Sequence, residues 1–99
     1  MTTQQHINFE PIFDLGQIVA TQGALEALQD DRELAALLLL RHSTGDYGDI
    51  CDEDREANRQ ALKYGSRIMS VYNLFGSSCL WIITEADRSS TTLLLPSEY

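Results

Sequence analysis

The densest run of chemically capable side chains is "RHSTGDYGDICDEDREANRQAL", from Arg41 to Leu62. Six carboxylates, Asp46, Asp49, Asp52, Glu53, Asp54 and Glu56, fall in this run, and Arg55 is the single base among them. Asp46, Asp49 and Asp52 stand three residues apart and offer oxygen to a hard cation. An EF-hand starting at Asp46 fails, because its sixth place is Cys51 rather than glycine and its twelfth is Ala57 rather than glutamate. His42 has only Asp46 and Asp49 nearby, short of a zinc ligand set and without an evident substrate pocket. It reads instead as the closing residue of a leucine-rich helix, a cation beside terminal carbonyls and within reach of the Asp46 carboxylate. Cys51 lies between Asp49 and Asp52, whose charges disfavour a thiolate. The chain has no glycine-rich phosphate loop, HExxH, GxSxG or dinucleotide fingerprint. No catalytic residue, metal or cofactor is therefore expected, and the remaining chemistry is charge.

The charge is local. The 99-residue chain carries a net −8, and residues 26–56 hold ten acids against three bases. Residues 57–99 hold three acids and four bases. Such a field repels free nucleic acid and favours a basic partner. Asp30, Asp31 and Glu33 suit the start of one helix, and Asp49, Asp52 and Glu53 the start of another. Capping needs only one or two acids, so Asp46, Asp54 and Glu56 are left over. Arg55, Arg59 and Lys63 recur every fourth residue and form a basic stripe, in which Asp52 and Glu56 are spaced to pair with Arg55 and Arg59.

The elements that must position these groups are a single domain's worth. Residues 1–8 are polar and read as a frayed tail; "MTTQQHINF" lacks the basic and apolar regions of a signal peptide, which points to the cytoplasm. No apolar run reaches the ~18 residues of a membrane span. Ile12 to Ala20 reads as a strand, with Gly16 marking a bulge or a close backbone approach. Thr21 caps a short helix over Gln22 to Leu28. Asp30 and Glu33 have the spacing of a capping box for a leucine helix ending near His42. "STGDYGDI" is a loop, in which Gly45 and Gly48 can take angles barred to other residues. A further helix runs from Asp49 or Asp52 to Tyr64, stopped by Gly65. The period then changes. "SRIMSVYNLF", "SCLWIITEA" and "TTLLLP" read as three strands, the first two joined by a turn at Gly76–Ser77. Cys79 falls in an apolar strand and reads as a buried thiol, and Trp81 as a sheet-packing residue. The expectation is an α+β fold: a small antiparallel sheet of about four strands, in the order β-α-α-β-β-β, with helices on one face. Its first strand lies on the meander's edge or beside the third or fourth strand. Arg88, in the "EADRSS" turn, is placed to reach the carboxylates of the "GDYGD" loop.

These residues also carry a likeness. The pattern "LLLRHSTGDYGD", "DEDREANRQAL" and "LWIITEADRSSTTLLLPSEY" resembles a small family of "plasmid-related" proteins found on plasmids, phages and integrated elements. The motif residues are His42, Gly45, Asp46, Gly48, Asp49, Asn58, Ala61, Leu62, Trp81, Ile82, Thr84, Glu85, Asp87 and Arg88, and the likeness runs from Phe13 to Tyr99. Tyr47 stands where a tryptophan is common, and keeps a flat aromatic. The resemblance implies context: a mobile-element protein that opposes host defence, anti-CRISPR or anti-restriction, by acting as a DNA mimic. On that reading Asp30, Asp31, Glu33, Asp46, Asp49, Asp52, Glu53, Asp54 and Glu56 meet a basic nucleic-acid-binding host protein. His42, Gly45, Tyr47, Gly48, Asp87 and Arg88 build the structural loops, and a homodimer is compatible. Two other readings stand beside it: an accessory interaction module, and a small hydrolase or metal-binding domain using His42, Asp46 and Asp49.

Overall fold

The computed structural model describes residues 10–76 and 78–99, so the expected tail over residues 1–8 lies outside the described residues. Strand β1 (Gln17–Ala20) is followed by helices α1 (Gln22–Ala27), α2 (Arg32–Ser43) and α3 (Asp52–Tyr64). Strands β2 (Ile68–Asn73), β3 (Cys79–Thr84) and β4 (Ser90–Leu94) come next, and a 3-10 turn, Pro96–Glu98, closes the chain. The sheet order is β1-β4-β3-β2. The fold is α+β. No helix among the described residues is long and apolar enough to cross a membrane.

Strands β2, β3 and β4 form an antiparallel meander, but β1 lies parallel to β4, which makes the sheet mixed rather than wholly antiparallel. No hairpin constrains β1, because three helices separate it from β2. Its direction is set by α1, which must start above Leu93. The Thr21 N–H donates to the Leu93 carbonyl, and the Thr21 hydroxyl accepts from Ala24 N–H as the α1 cap. β1 is also shorter than its β-rich sequence predicts. Ile12 N–H bonds the Ser43 carbonyl and Phe13 enters the core, which leaves only Gln17–Ala20 for the sheet. Gly16 is the close approach expected: at φ +66°, a side chain there would collide with the Ser89 carbonyl.

One sheet face carries Tyr72, Leu80, Ile82 and Leu93, and packs with Ala24, Leu28 and Leu38 of the first two helices. A second cluster joins Phe13, Tyr47, Ile50, Ala61 and Ile68 beside β2. The cap of α2 is Asp31, not Asp30, and accepts from Leu34 N–H at 3.0 Å. Gln29 and Asp30 are used in the tight α1–α2 turn instead, each with φ of 55°. Leu38 is buried, while its neighbour Leu37 is 52% exposed. Gly65 ends α3 in the left-handed conformation, its N–H on the Ala61 carbonyl. Gly76 takes φ +64° where the β2–β3 turn needs it; Ser77 lies outside the described residues.

Candidate functional site

The acidic run begins where α2 stops. Thr44 Oγ1 donates to the Leu40 carbonyl, and the Asp46 N–H returns to the Arg41 carbonyl at 2.8 Å. This places the Asp46 carboxylate on Arg41, in two hydrogen bonds of 2.7 and 3.1 Å. The guanidinium hydrogen bond holds the Asp46 carboxyl below the usual carboxylate range and raises Arg41 in turn. Arg41 also lies over the Tyr72 ring, 4.7 Å from its centre, and the Tyr72 hydroxyl donates to the Asp46 carbonyl at 2.6 Å. Burial pushes the Tyr72 phenol up to about 12. The next three residues run along the outer edge of β2: Val71 N–H donates to the Tyr47 carbonyl and Asp49 N–H to the Val71 carbonyl. Gly48 permits this contact, because at φ +73° a side chain would strike the Val71 carbonyl and the Tyr72 ring. The Asp49 carboxylate accepts from Asn73 at 2.8 Å.

His42 does not join these carboxylates. It is fully buried, with Phe13 and Tyr47 edge-on to its ring. Its Nδ1 meets Ser70 Oγ at 2.5 Å and its Nε2 meets Thr84 Oγ1 at 2.9 Å. Thr84 contacts Thr91 at 2.7 Å, and Thr91 donates to the Leu15 carbonyl. That carbonyl can only accept, so the order of donors follows. Thr91 gives its proton to Leu15, Thr84 gives to Thr91, and Nε2–H gives to Thr84, which leaves Nδ1 to accept from Ser70. Burial drops the imidazole from 6.5 to about 4, which keeps it neutral near pH 7 with Nδ1 as the acceptor. The sequence expectation of a cation on the helix carbonyls, hydrogen-bonded to Asp46, is corrected on both counts. A charged ring in this dry seam would lack a counter-ion, and Arg41 already occupies Asp46.

Arg88 also departs from its expected partners. Its guanidinium donates to the Ala61, Ser66 and Glu85 carbonyls, and lies 5.7 Å from the centre of the Phe13 ring. The last turn of α3 and the segment after it offer carbonyls with lone pairs to spare, and Arg88 takes these in place of the "GDYGD" carboxylates. Asp87 accepts from Ser89 N–H and shapes the same turn. Gly45 takes φ +94° in the loop after α2. Tyr47 is buried, burial raises its phenol, and its hydroxyl has no hydrogen-bond partner among the described residues. Cys51 and Cys79 are free thiols, and burial pushes Cys79 up. Cys79 is half-buried rather than enclosed, and Trp81 packs edge-on against Tyr99.

In α3, Arg59 grips Glu56 at 2.5 Å as its spacing predicts, but Arg55 forms no such pair with Asp52. Among the described residues the ion pairs are Arg41–Asp46 and Arg59–Glu56. Asp52, Glu53 and Asp54, in the first turn of α3, have neither an ion pair nor a hydrogen bond there. The second acidic group, Asp30, Asp31 and Glu33, sits at the other end of α2. Helix α2, about 18 Å long, and the loop over residues 44–51 separate the two groups along the chain. Asp30, Asp31 and Arg32 rim a cavity of about 300 Å³ floored by Leu25, Leu28 and Ala35. The two groups thus lie at the starts of two different helices, α2 and α3. No group of three or more histidine, cysteine or carboxylate side chains placed to hold a metal occurs among the described residues.

Asn58 is the residue whose role sequence reasoning missed. Buried in α3, it donates to the Met69 carbonyl at 2.7 Å and accepts from Met69 N–H at 3.0 Å. Its one signal is an amide on the buried stripe of a charged helix. Ser70, Thr84 and Thr91 were likewise legible only as hydroxyls within apolar strands. No family model matches the chain, and neither a curated protein nor a solved structure matches it.

Proposed function

We propose that the protein is an acidic, protein-binding inhibitor encoded by a mobile element, acting in the cytoplasm. It blocks nucleic-acid binding by a host defence complex, anti-CRISPR or anti-restriction, through DNA mimicry. The observation that carries this reading is the uncompensated first turn of α3. Among the described residues Asp52, Glu53 and Asp54 form no ion pair, while Asp46 and Glu56 are spent on Arg41 and Arg59. Asp49 extends that patch, and Asp30 and Glu33 supply a second one. A cationic cleft that reads duplex DNA by charge can engage both patches. A catalytic role for His42 with Asp46 and Asp49 finds no support in this geometry, since the imidazole faces Ser70 and Thr84.

The test is capture from a host lysate with functioning defence systems, followed by competition. Duplex DNA or raised salt is expected to release the captured partner, and Asp52→Lys with Glu53→Lys and Asp54→Lys is expected to abolish capture while the melting curve persists. A partner that stays bound at saturating DNA would refute the mimicry.

A further inference from the structure

The two edges of the sheet are finished differently. On β2, the outward N–H and C=O groups of Met69 are taken by Asn58, and those of Val71 by Asp49 and Tyr47. Among the described residues β1 has no such cover. Gln17 and Thr21 donate inward to the Ser89 and Leu93 carbonyls, so by alternation Ile18 and Ala20 turn their backbone groups outward. No hydrogen bond meets those groups among the described residues. The strand is short, but its residues carry no blunting group: "QIVA" holds no lysine, proline or charge. Ile18 and Val19 are 44% and 43% exposed, on opposite faces.

The surroundings of this edge are acidic. Asp14 stands three residues before Gln17. Asp87 holds the Ser89 N–H beside Gly16, where β1 begins. At the other end, the Glu98 carboxylate accepts from the Thr21 hydroxyl and from Gly23 N–H. The Arg88 guanidinium is turned away onto the Ala61, Ser66 and Glu85 carbonyls, and that of Arg67 lies over the Tyr99 ring.

We infer that β1 is a strand-addition site, at which an extended cationic segment of the protein partner joins the sheet as a fifth strand. The outward groups of Ile18 and Ala20 supply the ladder, Ile18 receives the apolar side chains on its own face of the sheet, and Asp14, Asp87 and Glu98 receive basic ones. The inference rests on the proposed cationic partner, but uses a surface away from the first turn of α3. A second copy of the chain is disfavoured as occupant, because it would bring the same carboxylates together.

The probe is a synthetic peptide of about eight residues alternating lysine and valine. Its binding is expected to slow amide exchange at Ile18 and Ala20 by about tenfold or more. Ile18→Pro removes an N–H that makes no bond among the described residues, and is expected to weaken peptide binding by about tenfold or more. As a check independent of that variant's folding, methylating alternate peptide nitrogens should weaken binding to the unaltered protein by a similar factor. Equal affinity for Ile18→Pro and the methylated peptide, protection mapping to α3, or a β1-mediated homodimer would each overturn the inference. Lysate capture abolished by the α3 reversal but untouched by Ile18→Pro would overturn strand addition alone and leave the inhibitor reading standing.

Discussion

Compare the β2 side of the sheet with the β1 side. Both are edges of the same four strands, and both border polar surface. On β2, a helix residue and a loop imitate a neighbouring strand, so an amide side chain and three loop residues complete the ladder. Behind it, His42 ties α2 to β2 and β3 through hydroxyls that are wholly buried. On β1 the chain offers apolar side chains and open backbone groups instead. Stability is therefore concentrated at one edge, and the other is left free to meet something else.

The sharpest way to break the comparison is a proline at each edge. Met69→Pro removes an N–H bonded to Asn58 and should cost about 3 kcal/mol or more in urea denaturation. Acid tests the seam behind the same edge. His42 binds its proton at about 4 in the fold and near 6.5 when unfolded, so the unfolded chain takes up a proton first as pH falls. Stability is complete above 6.5, is lost between 6.5 and about 4, and levels off below, by about 3 kcal/mol in all. Denaturant titrations across that window should show this slope, and His42→Gln should abolish it. Next, Asn58→Ala strands the Met69 N–H and C=O together and should cost about 2 kcal/mol. Asn58→Asp should not rescue it, because a carboxylate cannot donate to the Met69 carbonyl. The smallest effect belongs to the open edge, where Ile18→Pro should change stability by less than about 1 kcal/mol. A loss at Ile18 equal to that at Met69 would erase the distinction between the edges.

Much of the fold is readable locally. Thr21 followed three residues later by Ala24 closes a helix start, and Gly65 stops α3, because each interaction spans only a few residues. The three-strand meander follows from short apolar runs separated by turn residues. The Glu56–Arg59 pair is legible for the same reason. The site is less so. Asp46 pairs with Arg41, five residues away, and that pairing removes it from the acidic surface on which its spacing had placed it. Arg88 prefers the end of α3 to the acidic loop, a choice between targets that are both distant in sequence.

The amino-acid sequence by itself determined the period of each element, most of the helix starts and stops, and the excess of carboxylates in the helical half. These depend on side-chain spacing and backbone preference, which act over a turn or less. Tertiary structure alone decided that β1 runs parallel to β4, that His42 is neutral between Ser70 and Thr84, and that Asn58 closes one edge while the other stays open. Those outcomes depend on which groups meet after burial, where an unpaired donor or a lone charge is costly enough to select one arrangement.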